Sequence, residues 1–282
     1  MSKNGKIGFL YAVSQLHAGK GFDSGVVDLP IQREVHTDFP IISGIKGAFR
    51  NEFEEVFKGD KDIKIFGSPK EKEKGTEDQS GSVSFSEAKI FLFPVRSITE
   101  GFVWITCPMI LSRVNILFKM FGNKDLETKV SNLLKTIKSD KEYYSTNKTE
   151  INLEEYKVTP EYSKELVDFL NSIKKILPDE TLQNKLKERV LIISDEDFRF
   201  FVKGSTEIMA RIKIDETGTV DKKTGGLWYE EYLPQDTIMY FIVKTLLKDH
   251  GLDILTKETD KQFVNIGGKS TIGKGFTYIK YL

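Results

Sequence analysis

Apolar and polar positions alternate loosely from residue 7 to 16, and the run ends in Ala18-Gly19-Lys20-Gly21, which predicts a strand followed by a loop. Residues 19–43 show little periodicity and many Gly, Pro and polar positions, and so long a loop inside a compact domain is usually functional or disordered. Ile45, Ala48, Phe49, Phe53 and Phe57 then recur at helical spacing, predicting a helix over 44–57. Residues 58–80 are dense in Lys and Glu around a short apolar island, and 69–80 carry no core-forming side chain, the pattern of a solvated loop. Strands are predicted over 81–94 and 101–110, rich in Val, Ile, Phe and Trp, and a helix over 111–121.

The stretch 124–189 is rich in Lys, Glu and Asn with helical patches, notably 161–177 stopped by Pro178, so 111–189 reads as a helical insertion rather than core. A strand follows at 190–193 and a short amphipathic segment at 198–205. Residues 208–214 alternate around Arg211 and Lys213, 215–226 favour turns, and 227–233 alternate again. That is a hairpin over 208–233 with a long polar tip. Residues 237–247 are apolar and β-rich, and 262–282 read as strand, Gly-rich loop, strand. Strands at both ends with helices between them predict an α+β fold built on a mostly antiparallel sheet, as one domain over 1–282.

Composition narrows the class. The 282 residues include 20 Phe, 10 Tyr and 2 Trp, ample material for a core, and 42 basic side chains balance 42 acidic ones, which excludes disorder of the whole. A single cysteine, Cys107, rules out a disulfide framework, and three scattered histidines, His17, His36 and His250, give no zinc pattern. The N-terminal MSKNGKIGFL has neither a long apolar run nor a cleavage site, so the expectation is a soluble, cytoplasmic protein without a membrane partner. Zero net charge argues against a free-standing nucleic-acid binder. The charges are uneven, however: residues 265–282 carry three lysines and no acid, 81–124 carry five bases and two acids, and 125–264 carry 22 bases against 27 acids.

Three constellations bear on chemistry. In Ile266-Gly267-Gly268-Lys269-Ser270-Thr271-Ile272-Gly273-Lys274-Gly275-Phe276 the spacing approaches a P-loop. Gly275 stands where Ser or Thr would hold magnesium, though, and only seven residues follow it, too few for the required helix. What survives is a loop whose N–H groups and two lysines suit the phosphates of a nucleic-acid backbone, or a plain glycine-rich turn with solvated lysines. In Gly25-Val26-Val27-Asp28-Leu29-Pro30-Ile31-Gln32-Arg33-Glu34, Pro30 biases Leu29 away from helix and so holds Asp28 in a stiff, extended stretch. That carboxylate is a candidate to bind a divalent metal or take a proton with His17 as partner; otherwise it is a loop aspartate bonded to nearby amides. In Gly225-Gly226-Leu227-Trp228-Tyr229-Glu230-Glu231-Tyr232-Leu233-Pro234, alternation puts Trp228, Glu230 and Tyr232 on one face and Tyr229 and Glu231 on the other. Such aromatics serve either to stack on bases or as half-buried core positions.

Taken together, LHAGKG, GVVDLPIQRE, FPIISGIKGAFR, GSVSFSEAKIFLFPVRS, GGLWYEEYLP and IGGKSTIGKGF, in this order along almost the whole chain, resemble the RAMP superfamily. Within it they look most like the multi-copy backbone subunits of type III-B (Cmr) CRISPR ribonuclease complexes. The resemblance implies an RRM-like, ferredoxin-type antiparallel core with an inserted helical lid (111–189) and a hairpin thumb (208–233). It implies copies stacked along a guide crRNA with other Cmr-complex subunits, each copy cutting the target RNA once. The cleavage residue of that family falls on Asp28, with support from His17, Glu230 and Tyr232, and a divalent metal, magnesium by expectation, on Asp28. Guide contacts fall on Ser43, Lys46 and Arg50 and on Gly267, Gly268, Lys269, Gly273, Lys274 and Gly275. Two departures stand out: the turn before the helix is shorter than the usual Pro-Gly-Ser-Ser type, and Lys269 replaces a more usual polar amide. The rival readings are a structural guide-binding backbone that does not cut, and a single-copy processor of precursor guide RNA. Asp28 with His17 speaks against the first, and GVVDLPIQRE with the hairpin against the second.

Overall fold

The computed structural model describes all residues except 1–3, 69–77, 139–142, 148, 215, 217–218, 220–225 and 248–249. Most of the expected loop 69–80 and most of the hairpin tip lie outside the described residues. The chain opens with strand β1 (Gly5–Ala12) and, after the long loop, β2 (Ile41–Ile42), helix α1 (Ile45–Glu52) and helix α2 (Asp60–Phe66). Strands β3 (Val83–Phe85), β4 (Ala88–Ser97) and β5 (Gly101–Thr106) follow, then α3 (Pro108–Met120) and α4 (Lys124–Thr136). Next come β6 (Tyr144–Ser145), β7 (Ile151–Leu153), β8 (Tyr156–Val158), β9 (Glu161–Tyr162), α5 (Lys164–Ile173), α6 (Glu180–Glu188) and β10 (Val190–Ile192). The last part runs α7 (Asp195–Gly204), β11 (Glu207–Ile212), β12 (Leu227–Tyr232), β13 (Ile238–Thr245), α8 (Gly251–Thr259), β14 (Phe263–Asn265) and β15 (Phe276–Tyr281).

The α+β expectation holds. One sheet runs β14-β15-β1-β13-β4-β5-β10-β6-β9, with β2 beside β4 and β3 beside β13. It is antiparallel except at the β5–β10 and β6–β9 pairs. β1 lies between β15 and β13 and is buried along nearly its whole length, so side chains on both of its faces are covered. That two-sided burial is why its alternation is only loose in the sequence. β1 stops at Ala12, short of the predicted residue 16, because Val13 and Ser14 turn onto Phe276 and Leu16 then pairs with Leu233.

Phenylalanines fill the core. Phe49 on α1 is fully buried against the rings of Phe53, Phe85 and Phe241. The stretch 111–189 differs from expectation: Phe169 of α5 meets Phe91 of β4 and Phe118 of α3, so this segment shares the same core. Its Lys/Glu-rich composition hid a complete apolar stripe, Leu166, Phe169, Leu170 and Ile173, at helical spacing. Helices α2 and α8 were not read from the sequence at all. Among the described residues no helix is long and apolar enough to cross a membrane.

Candidate functional site

Strand β12 is the spine of the site. It pairs antiparallel with β11 in the register Glu207↔Tyr232, Met209↔Glu230 and Arg211↔Trp228, and its two faces divide as alternation requires. On one face Glu230 is only 1% exposed. Its carboxylate accepts from Lys269 Nζ at 2.6 Å, Trp228 Nε1 at 2.8 Å, Arg211 Nε at 3.2 Å and the Tyr232 hydroxyl. Burial alone would raise its pKa; the bonds from Lys269, Tyr232 and Trp228 and the Lys269 charge outweigh burial and bring it to about 2. Burial, together with the Glu230 bond and charge, pushes the Tyr232 hydroxyl up. Lys274 lies 5.1 Å over the Tyr232 ring and donates to Gln15 Oε1 at 2.7 Å.

Glu230 and Tyr232 are thus enclosed in an ionic network that fastens the terminal Gly-rich loop to the hairpin. With four donors in place, the buried Glu230 carboxylate holds its neighbours together.

The other face carries the loop with Asp28. Glu231, 6% exposed, accepts from Arg33 Nη2 at 2.5 Å and Thr206 Oγ1 at 2.9 Å on one oxygen, and from the Ile31 amide at 3.0 Å on the other. The Leu29 amide donates to Tyr229 O and the Glu231 amide to Leu29 O, both at 3.0 Å, so residues 28–31 lie beside β12 as a short parallel addition. The half-buried Asp28 carboxylate accepts the Tyr229 amide at 2.7 Å. The Gln-Arg-Glu end of the motif braces the same loop. Gln32 donates through Nε2 to Gly19 O at 2.9 Å, Arg33 bonds the carbonyls of Asp38 and Val202, and Glu34 receives Lys89, Arg113 and Thr37. Residues 19–43, aperiodic in sequence, are therefore held by isolated backbone bridges, such as Gly19 to Ile31 and Arg33 to Pro40, together with these side chains.

His17, 6% exposed, lies between the two faces. Its Nδ1 donates to the Glu231 carbonyl at 2.8 Å, its ring centroid is 5.4 Å from that of Tyr232, and its own carbonyl accepts the Gly268 amide at 2.8 Å. Asp28 and His17 are thus tied to β12 at Tyr229 and Glu231, two residues or roughly 7 Å apart along a strand. Glu231 and Arg33 are the residues that sequence reasoning passed over. The only signal was a second acid beside Glu230, and nothing in the sequence says that Arg33 would reach it.

The expected guide contacts divide. Ser43 and Lys46 are exposed where α1 begins, and Gly44 at its N-cap adopts φ 79° with no side chain capping the first amides. Arg50 instead pairs with Asp62 and donates to Gly67 O at 3.1 Å. In the terminal loop Lys269 pairs with Glu230 and Lys274 bonds Gln15, while Lys280 pairs with Asp260 at 2.6 Å. The basic surplus of 265–282 is therefore engaged internally, which removes it as an argument for a free phosphate-facing surface. Gly268 donates its amide to His17, and Gly273 and Gly275 both have positive φ. Gly267 has φ 85°, and a Cβ there would fall 2.4 Å from His17 O. Gly267→Ala is expected to push the loop off His17, costing on the order of 1–3 kcal/mol. Urea unfolding of the purified chain checks this, and an unchanged midpoint would show that the loop adapts.

Among the described residues no group of three His, Cys, Asp or Glu side chains is placed to share a metal ion. Asp28 offers one carboxylate, half of it engaged by the Tyr229 amide. The residues present do not by themselves fit a divalent-ion centre.

The family model of the RAMP superfamily matches residues 9–278. The chain is 39% identical, over 96% of its length and 93% of the relative's, to the CRISPR system Cmr endoribonuclease Cmr4 of Pyrococcus furiosus. The structure of oligomeric Cmr4 from Pyrococcus furiosus superposes with a TM-score of 0.70 at 27% identity, covering 98% of this chain and 97% of that one. A chain of the type III-B Cmr-beta complex bound to cognate target RNA shares the fold, with a TM-score of 0.78 at 23% identity over 98% of this chain and 96% of that one.

Proposed function

The chain belongs to the RAMP superfamily, and from that premise we propose that it is a backbone subunit of a type III-B (Cmr) CRISPR complex that binds guide crRNA and cleaves complementary target RNA. The observation that carries the reading is Asp28, held on β12 two residues from the anchor of His17, in a chain 39% identical to a Cmr endoribonuclease. In this reading the sheet is the RRM-like core, β11 and β12 form the thumb, and 111–189 form the lid. Copies stack on one another and on other subunits in the cytoplasm. Ser43 and Lys46, exposed at the start of α1, face guide phosphates.

The chemistry follows from the groups on β12. A target nucleotide splayed from its duplex aligns its 2′-OH in line with its own phosphate. The bond from O2′ to phosphorus forms as the bond from phosphorus to O5′ breaks, the 2′-OH gives up a proton and O5′ takes one. Products are a 2′,3′-cyclic phosphate and a 5′-hydroxyl. Asp28 orients the 2′-OH, and His17, its Nδ1 committed to Glu231, exchanges the proton at Nε2. Glu230 and Tyr232 hold β12 against the terminal loop and so fix both anchors.

The test is to purify the protein with its natural RNA, sequence that RNA and map where complementary RNA is cut. Short repeat-tagged guides and cuts at regular intervals are expected. Absence of such guides would overturn the assignment.

A further inference from the structure

Gly19 has no side chain, and its position explains why. A methyl group there would fall 2.7 Å from His17 Nε2 and 3.3 Å from Cε1. Carbon and nitrogen rest at roughly 3.5–4.0 Å, so the methyl would be about an ångström too close to the one ring nitrogen not already bonded. The backbone gives no competing reason for glycine, because Gly19 is not among the positive-φ positions. The ring has little room to yield: Nδ1 is held by the Glu231 carbonyl, and Tyr232 packs beside it. A carbonyl only accepts, so Nδ1 carries the proton and Nε2 is the atom left to act.

We propose that Gly19 is a positioning residue for RNA cleavage: its missing side chain keeps His17 Nε2 open to the reacting ribose and phosphate, while the Glu231 carbonyl fixes the tautomer that makes Nε2 the working atom. This rests on the functional reading above. The three atoms nearest that methyl all belong to His17, while the Gly19 backbone, which bridges to Ile31 and accepts from Gln32 Nε2, is not altered chemically by the substitution. Asp28 is anchored elsewhere, at Tyr229, and the guide contacts at Ser43 and Lys46 belong to a different segment.

The experiment is single-turnover cleavage of complementary RNA by the assembled, guide-loaded complex carrying Gly19→Ala, His17→Ala or both. Gly19→Ala is expected to slow cutting on the order of a hundredfold with target binding unchanged, the scale of a misplaced proton-transfer group. In the His17→Ala background the same substitution is expected to do nothing more, because the atoms the methyl meets are gone. An unaffected Gly19→Ala overturns the inference, as does an equal further loss without His17. A wild-type complex that does not cut overturns the functional reading as well, so the two failures are distinguishable. A second measurement is independent of any variant: with three histidines in the chain, ¹⁵N spectra of the neutral rings are expected to show His17 protonated at Nδ1. Protonation at Nε2 would overturn the inference even if every variant failed to assemble.

Discussion

Asp28→Ala is expected to stop target-RNA cutting, a fall on the order of 10²–10⁴ in single-turnover rate, while the guide-loaded complex still forms and still binds its target. The selectivity follows from how Asp28 is held. Among the described residues its carboxylate makes a single bond, to the Tyr229 amide, at a half-buried position that water reaches once the side chain is gone. Losing a bond of that kind costs about 1 kcal/mol. The strand-like path of residues 28–31 is secured separately by the backbone bonds of Leu29 and by Ile31 on Glu231. Asp28→Asn sharpens the result: an amide oxygen still accepts from Tyr229 but carries no charge, so it too is expected to be inactive. Cutting at the wild-type rate by either variant, in a complex shown to hold guide and target, would remove Asp28 from the chemistry.

Pro30 sets only Leu29 on the extended path it takes beside β12; residues 24–28 bend before it, so the place of Asp28 was not legible. The faces of β11 and β12 were legible, since alternation over 208–214 and 227–233 fixes them without reference to the rest of the chain. Partnerships across the chain were not. Alternation places Glu230 with Trp228 and Tyr232, yet only the fold decides that Lys269, 39 residues away, closes onto it. The lysines of the terminal segment look like a phosphate-binding surplus for as long as their acidic partners lie elsewhere in the sequence. Composition misled again over 111–189, where a polar average concealed the stripe that joins Phe169 to Phe91 and Phe118.

Those long-range ion pairs lead to the largest expected effect on stability. Glu230 and Glu34 are both nearly buried, and burial alone would raise their pKa values. Their bonds outweigh it: Lys269, Tyr232 and Trp228 on Glu230, and Thr37, Lys89 and Arg113 on Glu34, bring both to about 2 from an ordinary 4.5. A carboxylate whose pKa is lowered by folding adds stability above its unfolded value and loses it as the pH falls through the folded one. Each therefore contributes on the order of 3 kcal/mol above pH 5, of which roughly 2 kcal/mol is gone by pH 3. Glu230→Gln is expected to lower the urea midpoint at pH 7 and to shrink the loss between pH 7 and pH 3 by its own share. A variant as acid-sensitive as the wild type would show that the network does not stabilise the fold through this charge. Because Lys269 and Arg211 remain about one-third exposed, water solvates them when Glu230 is neutral. The cost then stays below that of stranding a fully buried ion, and the terminal loop is what loosens. That loop bears the Gly268 amide on His17, so the acid-weakened network is expected to reach His17, the proposed proton-transfer group, through the same contact that holds it at neutral pH.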